Sequence, residues 1–334
     1  MISSPASYKN PNGHLECLLT SDWYKHLSKI LSVILNETYE FYKGKNISPM
    51  MFPVTTGSIS SPMGLGSDSL PVKINIRKND VFLADSMQFS LEIGTRLSGT
   101  GAYYIIPSFR GEQIDARHLN EFIHSEVEIY GTLDDIKQLA EEYIKHLVVA
   151  LKKHCTQEIT DIAGSTSHLD AMLNKKFLSI RFEDAVFELS NVKDAITELD
   201  KGIFAISGIG EQELLKRYGD FIWLTNMPWC AVPFYQAKEQ GTKFSLTADL
   251  LAGIGEILGS GQRVLTQLDL QESLDYHQID ATGYKWYSEM RKIRPVQTSG
   301  FGLGIERFIL WLLQHNDIRD CTLLLRDHDK IIFP

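Results

Sequence analysis

Cysteine is scarce. The 334 residues hold four, Cys17, Cys155, Cys230 and Cys321, and no two stand as a C-x-x-C pair. That spacing argues against a zinc site and a disulfide framework, and scattered thiols suit a reducing cytoplasm. Long apolar runs are lacking too: the longest, Phe308 to Leu313, falls far short of the ~20 residues that cross a bilayer. The opening MISSPASYKNPNG has no basic region leading into an apolar stretch, so it does not read as a secretory signal. There is no block of like charge, internal repeat or low-complexity tract. No G-x-G-x-x-G follows a first strand and no G-x-x-x-x-G-K-[ST] occurs, which disfavours Rossmann and P-loop folds.

What is present is ordinary globular composition, 43% hydrophobic, 22% charged and 10% aromatic. It excludes disorder, collagen and coiled coil for the chain as a whole. The length allows one large domain or two modest ones, and a chain this long buries enough surface to need no covalent staples. The net charge of −9 disfavours a protein whose whole surface grips nucleic acid, DNA included, while leaving room for a local basic groove.

Residues 1–20 lack periodicity and are expected to form an extended arm, with a single catalytic domain over 21–334. Ser21 caps a predicted helix to about Lys43, with Leu27, Ile30, Leu31, Ile34, Leu35 and Phe41 on one face and Gly44 at its C-cap. Residues 45–75, rich in Ser, Pro, Gly and Met, read as short strands and a mobile loop. VKINI, VFLA, AYYIIPSF and SEVEIYG read as strands. Thr132 opens a helix with Leu133, Ile136, Leu139, Tyr143, Leu147 and Leu151 on one face and Asp135 completing a capping-box variant. Residues 155–215 are mixed. Strands return in FIWLTNMP, PFYQA and FSLTADLLAGIG, and SGFGLG runs into a helix to about His315. Strands interrupted by long helices predict an α+β fold with a mostly antiparallel sheet.

Three segments carry chemistry. In Ser108 to Phe122 a polar loop between two strands holds Arg110, Glu112, Asp115, Arg117 and His118. A guanidinium at a strand end suits a phosphate, because its planar fork makes two parallel charged hydrogen bonds. Glu112 is expected on the same strand face as Arg110, and Phe122 offers a ring to stack on a base. A solvated hairpin with surface salt bridges fits the same residues. In Asp249 to Arg263, Asp249 and Glu256 are hard oxygen ligands suited to Mg²⁺ held with phosphates. Gly259 and Gly261 permit close backbone approach, and Arg263 can pair with a polar substrate group; a strand pair with a tight turn is the plainer alternative. In Ser299 to Phe308, Arg307 sits in a first helical turn, where a cation needs a reason such as an anion or a base. Snorkelling to solvent is the alternative there.

Taken together, F-R-G-E (Phe109 to Glu112) with R-H-L-N-E-F (Arg117 to Phe122), G-E-I-L-G-S-G-Q-R (Gly255 to Arg263) and G-L-G-I-E-R (Gly302 to Arg307) resemble the class II aminoacyl-tRNA synthetases, in the asparaginyl and aspartyl branch. W-Y-S-E-M-R before the last motif and N-D-I-R-D after it add to the likeness, which runs in order from about residue 20 to the end. It implies an antiparallel sheet flanked by helices, and a homodimer formed through the first long helix and the strand near Pro53. It implies ATP and Mg²⁺ as cofactors. Arg110 would bind the α-phosphate and the activated carboxylate. Arg307 and Phe122 would sandwich adenine, and Arg117 and His118 would face the β- and γ-phosphates. Arg110, Glu112 and Arg307 form the implied catalytic set, and Asp249 and Glu256 the metal ligands. Ser86, Gln88, Glu126 and Arg263 would line the amino-acid pocket, with Glu126 near the α-amino group and Arg263 reading the side chain.

The departures from that family bear on function. Starting the catalytic domain near residue 20 leaves no room for the family's N-terminal anticodon-binding barrel. The loop T-T-G-S-I-S-S-P-M-G after Pro53 lacks the glutamate usual there. The expectation is therefore an enzyme that activates an amino acid as its adenylate and passes it to a non-tRNA acceptor: ammonia, a small amine, a carrier or a protein. This disfavours tRNA as a partner without excluding it. A truncated asparaginyl- or aspartyl-tRNA synthetase is the second reading, and a non-catalytic amino-acid sensor the third. Asparagine is favoured over aspartate. Where aspartate-using members carry a lysine three residues beyond the pocket glutamine, this chain has Leu91, and a carboxylate in a closed pocket needs its charge balanced. Arg96 is the alternative cation.

Overall fold

A computed structural model describes residues 1–60, 65, 69–76 and 78–327. The N-terminal residues are helical and packed, where an extended arm was expected. Two 3₁₀ turns lead into His14–Thr20 (α1). Ser7 and His14 are buried, with Ser7 Oγ bridging His14 Nδ1 at 2.8 Å and Tyr24 Oη at 2.6 Å. Hydrogen bonds that lie far along the chain, invisible to local periodicity, hold this segment down.

Asp22–Gly44 (α2) begins as expected, with Ser21 Oγ accepting from Trp23 N at 3.1 Å. It ends differently: Gly44 is the last helical residue, and the left-handed position beyond is Asn46, φ 57°. Asn tolerates that conformation because its short polar side chain bonds locally. Ser48–Pro49 (β1), Thr55–Thr56 (β2), Val72–Ile76 (β3) and Asn79–Leu83 (β4) follow. Part of the expected mobile loop, 61–64 and 66–68, lies outside the described residues. Gln88–Ser98 (α3) leads into Gly101–Phe109 (β5) and Glu121–Tyr130 (β6). Leu133–His154 (α4) starts in a capping box between Thr132 and Asp135.

The mixed stretch resolves into Thr156–Ala163 (α5), Ser167–Leu173 (α6), Leu178–Arg181 (β7), Phe182–Leu189 (α7), the hairpin Ile196–Asp200 (β8) and Ile203–Ile206 (β9), and Gly208–Tyr218 (α8). Ile222–Thr225 (β10), Thr247–Ala252 (β11) and Gly255–Gln262 (β12) come next. Gln267–Tyr276 (α9) and Lys285–Ile293 (α10) precede Thr298–Gly304 (β13) and Ile305–Leu312 (α11). PFYQA forms no named strand; Gln236 makes an isolated bridge to Arg263 instead.

The main sheet runs β1-β5-β6-β13-β12-β11-β10-β7, antiparallel except where β1 meets β5 and β7 meets β10. The fold is α+β with a mostly antiparallel sheet, as its strand pattern predicts. Helices α2 and α4 cover one face. Tyr143 of α4 is fully buried there and joins Thr38 of α2 (2.7 Å) to Ser125 of β6 (2.9 Å), so its hydroxyl is paired across the core. The other face carries the site. Among the described residues no helix is long and apolar enough to cross a membrane.

Candidate active site

The floor of the site follows from strand alternation. His124, Glu126 and Glu128 occupy alternate positions of β6 and share a face. Opposite them on β13 stand Gly302, paired with Glu126, and Gly300, paired with Glu128. A Cβ on Gly300 would sit 2.0 Å from a Glu128 oxygen, and one on Gly302 3.0 Å from Glu126. The Gly-rich strand is therefore the space that two carboxylates occupy. On β12, Gly259 plays the same part, since a Cβ there would lie 3.0 Å from Glu256 Oε1 and 3.6 Å from Asp249 Oδ1.

Above this floor lies a cavity of about 590 Å³, bordered by Ser86, Gln88, Arg110, Glu126, Asp249, Glu256 and Arg263. A second, of about 250 Å³, is bordered by Arg110, Glu112, Arg117, His118, Phe122, Glu256 and Arg307. Arg110, His124, Glu256 and Gly302 border both, so the two are compartments of one site. All twelve residues implied by the resemblance fall on one compartment or the other. Their charges separate: carboxylates dominate the larger, guanidinium groups the smaller.

In the larger compartment, Glu126 accepts from Ser86 Oγ at 2.7 Å and from Tyr104 Oη, and lies 3.0 Å from His124 Nδ1. Burial alone would raise its pKa, but His124, Tyr104 and Ser86 outweigh burial and hold the carboxyl below its ordinary value. Gln88, at the start of α3, has a buried side-chain nitrogen without a partner among the described residues. Arg263, 4% exposed, does not present a free fork. Its Nε and Nη2 donate to Glu128 at 3.2 and 2.9 Å and its Nη1 to Gln236 Oε1 at 3.0 Å. Burial opposes charge on Arg263, and contact with Glu128 outweighs it, so the guanidinium stays protonated. Leu91 borders this cavity at 1% exposure. Arg96 is committed elsewhere, its Nη1 donating to Glu92 O at 3.0 Å and its Nε to Arg294 O at 3.2 Å.

In the smaller compartment, Arg110 lies just past β5 with its guanidinium carbon 5.5 Å from the Phe122 ring centre and a buried Nε that has no partner among the described residues. Glu112 is not on a strand face, because β5 ends at Phe109. Its backbone carbonyl accepts from Asn120 Nδ2, which closes the loop and turns Glu112 to the cavity's edge. Arg117 donates from Nη2 to Glu211 of α8 at 2.7 Å, and His118 Nδ1 lies 3.0 Å from Asp115. Arg307 donates from Nη1 to Glu256 O at 2.7 Å.

Asp249 and Glu256 fit a hard divalent ion. Both carboxylates reach the space above Gly259, and among the described residues no group of three or more His, Cys, Asp or Glu could hold a metal. A two-carboxylate site completed by phosphate oxygens and water is what Mg²⁺ takes. Burial, then the like charges of Glu256 and Glu211, push Asp249 well above the ordinary carboxylate range.

Reading the sequence missed His124, Glu128, Gln236, Asp85 and Glu211. The alternate spacing of His124, Glu126 and Glu128 was a usable signal. Glu211 had none: it arrives from a helix in the unreadable stretch, and Gly255 leaves it room, a Cβ there meeting Glu211 Oε2 at 2.1 Å.

The fold is that of the class II synthetases. Asparaginyl-tRNA synthetase from Pyrococcus horikoshii, complexed with asparaginyl-adenylate, superposes with a TM-score of 0.86 at 23% identity, over 98% of this chain and 74% of that one. Asparaginyl-tRNA synthetase of Entamoeba histolytica gives 0.84 at 22%, over 98% and 73%. Residues 12–328 match the family "tRNA synthetases class II (D, K and N)", and the chain belongs to it. A relative from Enterocytozoon bieneusi (strain H348), "Probable asparagine--tRNA ligase, cytoplasmic", is 33% identical over 263 residues, 76% of this chain. The aligned stretch is 56% of that relative's length.

Proposed function

We propose that this protein joins an amino acid, asparagine favoured, to ATP as the aminoacyl-adenylate, releasing pyrophosphate. The observation that carries this is the pairing of a carboxylate-rich and a guanidinium-rich compartment that share Arg110. A carboxylate oxygen of the amino acid attacks the α-phosphorus, and the bond from that phosphorus to the pyrophosphate oxygen breaks. No protein nucleophile is needed, so positioning and charge neutralisation supply most of the catalysis.

In this reading Arg110 contacts the α-phosphate and the attacking carboxylate. Phe122 and Arg307 enclose the adenine, and Glu112 lies at the rim beside Arg110. Arg117 and His118 serve the outer phosphates; for Arg117 this means giving up part of its contact with Glu211. Asp249 and Glu256 would hold Mg²⁺, which would offset phosphate charge. Ser86, Gln88, Glu126 and Arg263 enclose the amino acid, Arg263 and Glu128 together offering a donor and an acceptor that match a side-chain amide. Residues 21–334 act as the catalytic unit, with 1–20 packed against it. A homodimer forms through α2 and the segment around Pro53, which lies between β1 and β2 and not in a strand. A cytoplasmic setting is supported by the relative's printed name.

Transfer to ammonia, an amine, a carrier or a protein is not supported by the comparisons. Transfer to tRNA, the activity in the relatives' names, fits the same site equally. ATP–pyrophosphate exchange with each amino acid, with and without tRNA, tests activation. Asparagine-dependent exchange is the expected result, and no exchange with any amino acid would overturn the reading. Acid-stable incorporation of labelled asparagine into tRNA then decides the acceptor.

A further inference from the structure

The larger compartment holds a carboxylate that the proposed reaction has not used. Asp85, two residues beyond β4, is 3% exposed and borders the cavity beside Ser86, Gln88 and Glu126. Its oxygens accept from Ser60 N at 3.3 Å and Ser60 Oγ at 2.9 Å. The other acids along this cavity have basic neighbours: Glu126 lies 3.0 Å from His124 Nδ1, Glu211 2.7 Å from Arg117, and Glu256 3.8 Å from Arg307. Among the described residues Asp85 and Asp249 form no such pair, and Asp249 lies at the metal end. Arg110 acts on Asp85 only as a more distant charge, and burial raises its pKa. A buried carboxylate without a cation is costly, and a cationic ligand removes that cost. In the same wall the side-chain nitrogen of Gln88 is buried and lacks an acceptor among the described residues. Asparagine carries one cation, its α-ammonium.

We propose that Asp85 receives the α-ammonium group of the amino-acid substrate, with Ser60 fixing its carboxylate. This rests on the proposed amino-acid activation and adds to it. The substrate must then carry a free α-amino group, and one wall of the pocket is built jointly by Asp85 and by Ser60 from the segment after β2.

The test is a comparison of two probes on two chains. Calorimetry would measure binding of asparagine and of succinamic acid, the same molecule without the amino group, to wild type and to Asp85→Asn. The asparagine substitution keeps the shape and an oxygen for Ser60. Wild type should prefer asparagine, and the variant should lose about tenfold or more for asparagine and little for succinamic acid, as expected for a hydrogen bond to a charged group. Asp85→Glu, which keeps the charge, should retain the preference for the amino form and guards against a variant that folds poorly. Equal loss for both probes, or unchanged asparagine affinity, overturns the assignment of Asp85 alone. A wild-type chain that binds neither asparagine nor aspartate overturns the proposed function as well.

Discussion

Arg263 and Glu128 form a two-pronged ion pair beneath the larger compartment, with nitrogen–oxygen distances of 2.9 and 3.2 Å and almost no exposure. The arginine expected to read the substrate thus arrives with its charge already balanced. A neutral amide can join this pair without adding charge, whereas a carboxylate would add one. Glu128→Gln should therefore shift exchange activity from asparagine toward aspartate. It should also cost about 3–5 kcal/mol of stability, because it strands a buried guanidinium. Exchange rates with both amino acids check the first effect and chemical denaturation the second; an unchanged preference in a folded variant would sink the idea.

Leu91 offers an independent route to the same switch. It borders the cavity on α3 in an otherwise apolar patch with Ala84, Met87, Ala102 and Tyr104. Leu91→Lys should change the aspartate-to-asparagine exchange ratio by about tenfold or more, at some cost in stability, since a buried ammonium needs a partner that only the acidic substrate supplies. A ratio equal to wild type would show that this wall does not sense substrate charge.

Arg110 and Arg307 should dominate the rate. Among the described residues Arg110 keeps a buried nitrogen without a partner, and Arg307 is tied to Glu256 through one nitrogen, leaving the rest of its fork for a ligand. Alanine at either position should slow pyrophosphate exchange on the order of 10²-fold or more, as for removal of a charge-stabilising donor. Near-wild-type exchange in both variants would remove the site assignment.

Glu306 should imprint itself on stability. It lies in the first turn of α11, accepts from Ile123 N at 3.0 Å, and burial pushes its pKa up to about 8 from an ordinary 4.5. The folded chain holds this proton where the unfolded chain has lost it. Its contribution is thus fully favourable below the unfolded value and declines as pH rises toward about 8. Melting curves of wild type and Glu306→Gln across that window should diverge, the variant showing the flatter dependence. Parallel curves would mean that Glu306 titrates normally.

Self-association should run through the exposed apolar residues of α2 and the neighbouring edge strand. Leu35 and Tyr39 of α2, and Met51 and Val54 just beyond β1, are all exposed, and β1 ends the main sheet. An edge strand with apolar neighbours invites a symmetric partner. Light scattering should report a dimer at micromolar concentration and a monomer for Met51→Glu; a monomeric wild type would refute this.

The amino-acid sequence alone determined the elements whose signal is local. Ser21 and Thr132 mark helix starts because a capping side chain bonds only a few residues ahead. The apolar runs of β5 and β6 and the run of glycines in β13 are likewise short-range patterns, and the resemblance they support implies twelve residues that all border one site. What lay beyond it was whatever depends on distant partners. The first residues are packed because Tyr24 and Asp161 hold them, the backbone carbonyl of Asp161 accepting from Ile2 N at 2.6 Å. Gly300 is glycine because Glu128 fills its place from another strand. Glu112 leaves the strand because β5 ends at Phe109. Only the tertiary structure decided that Arg263 is neutralised by Glu128, that Arg117 is held by Glu211, and that Asp85 pairs with no cation among the described residues. A charge's effect is set by what lies within a few ångströms of it, and for these residues those neighbours are dozens of positions away along the chain.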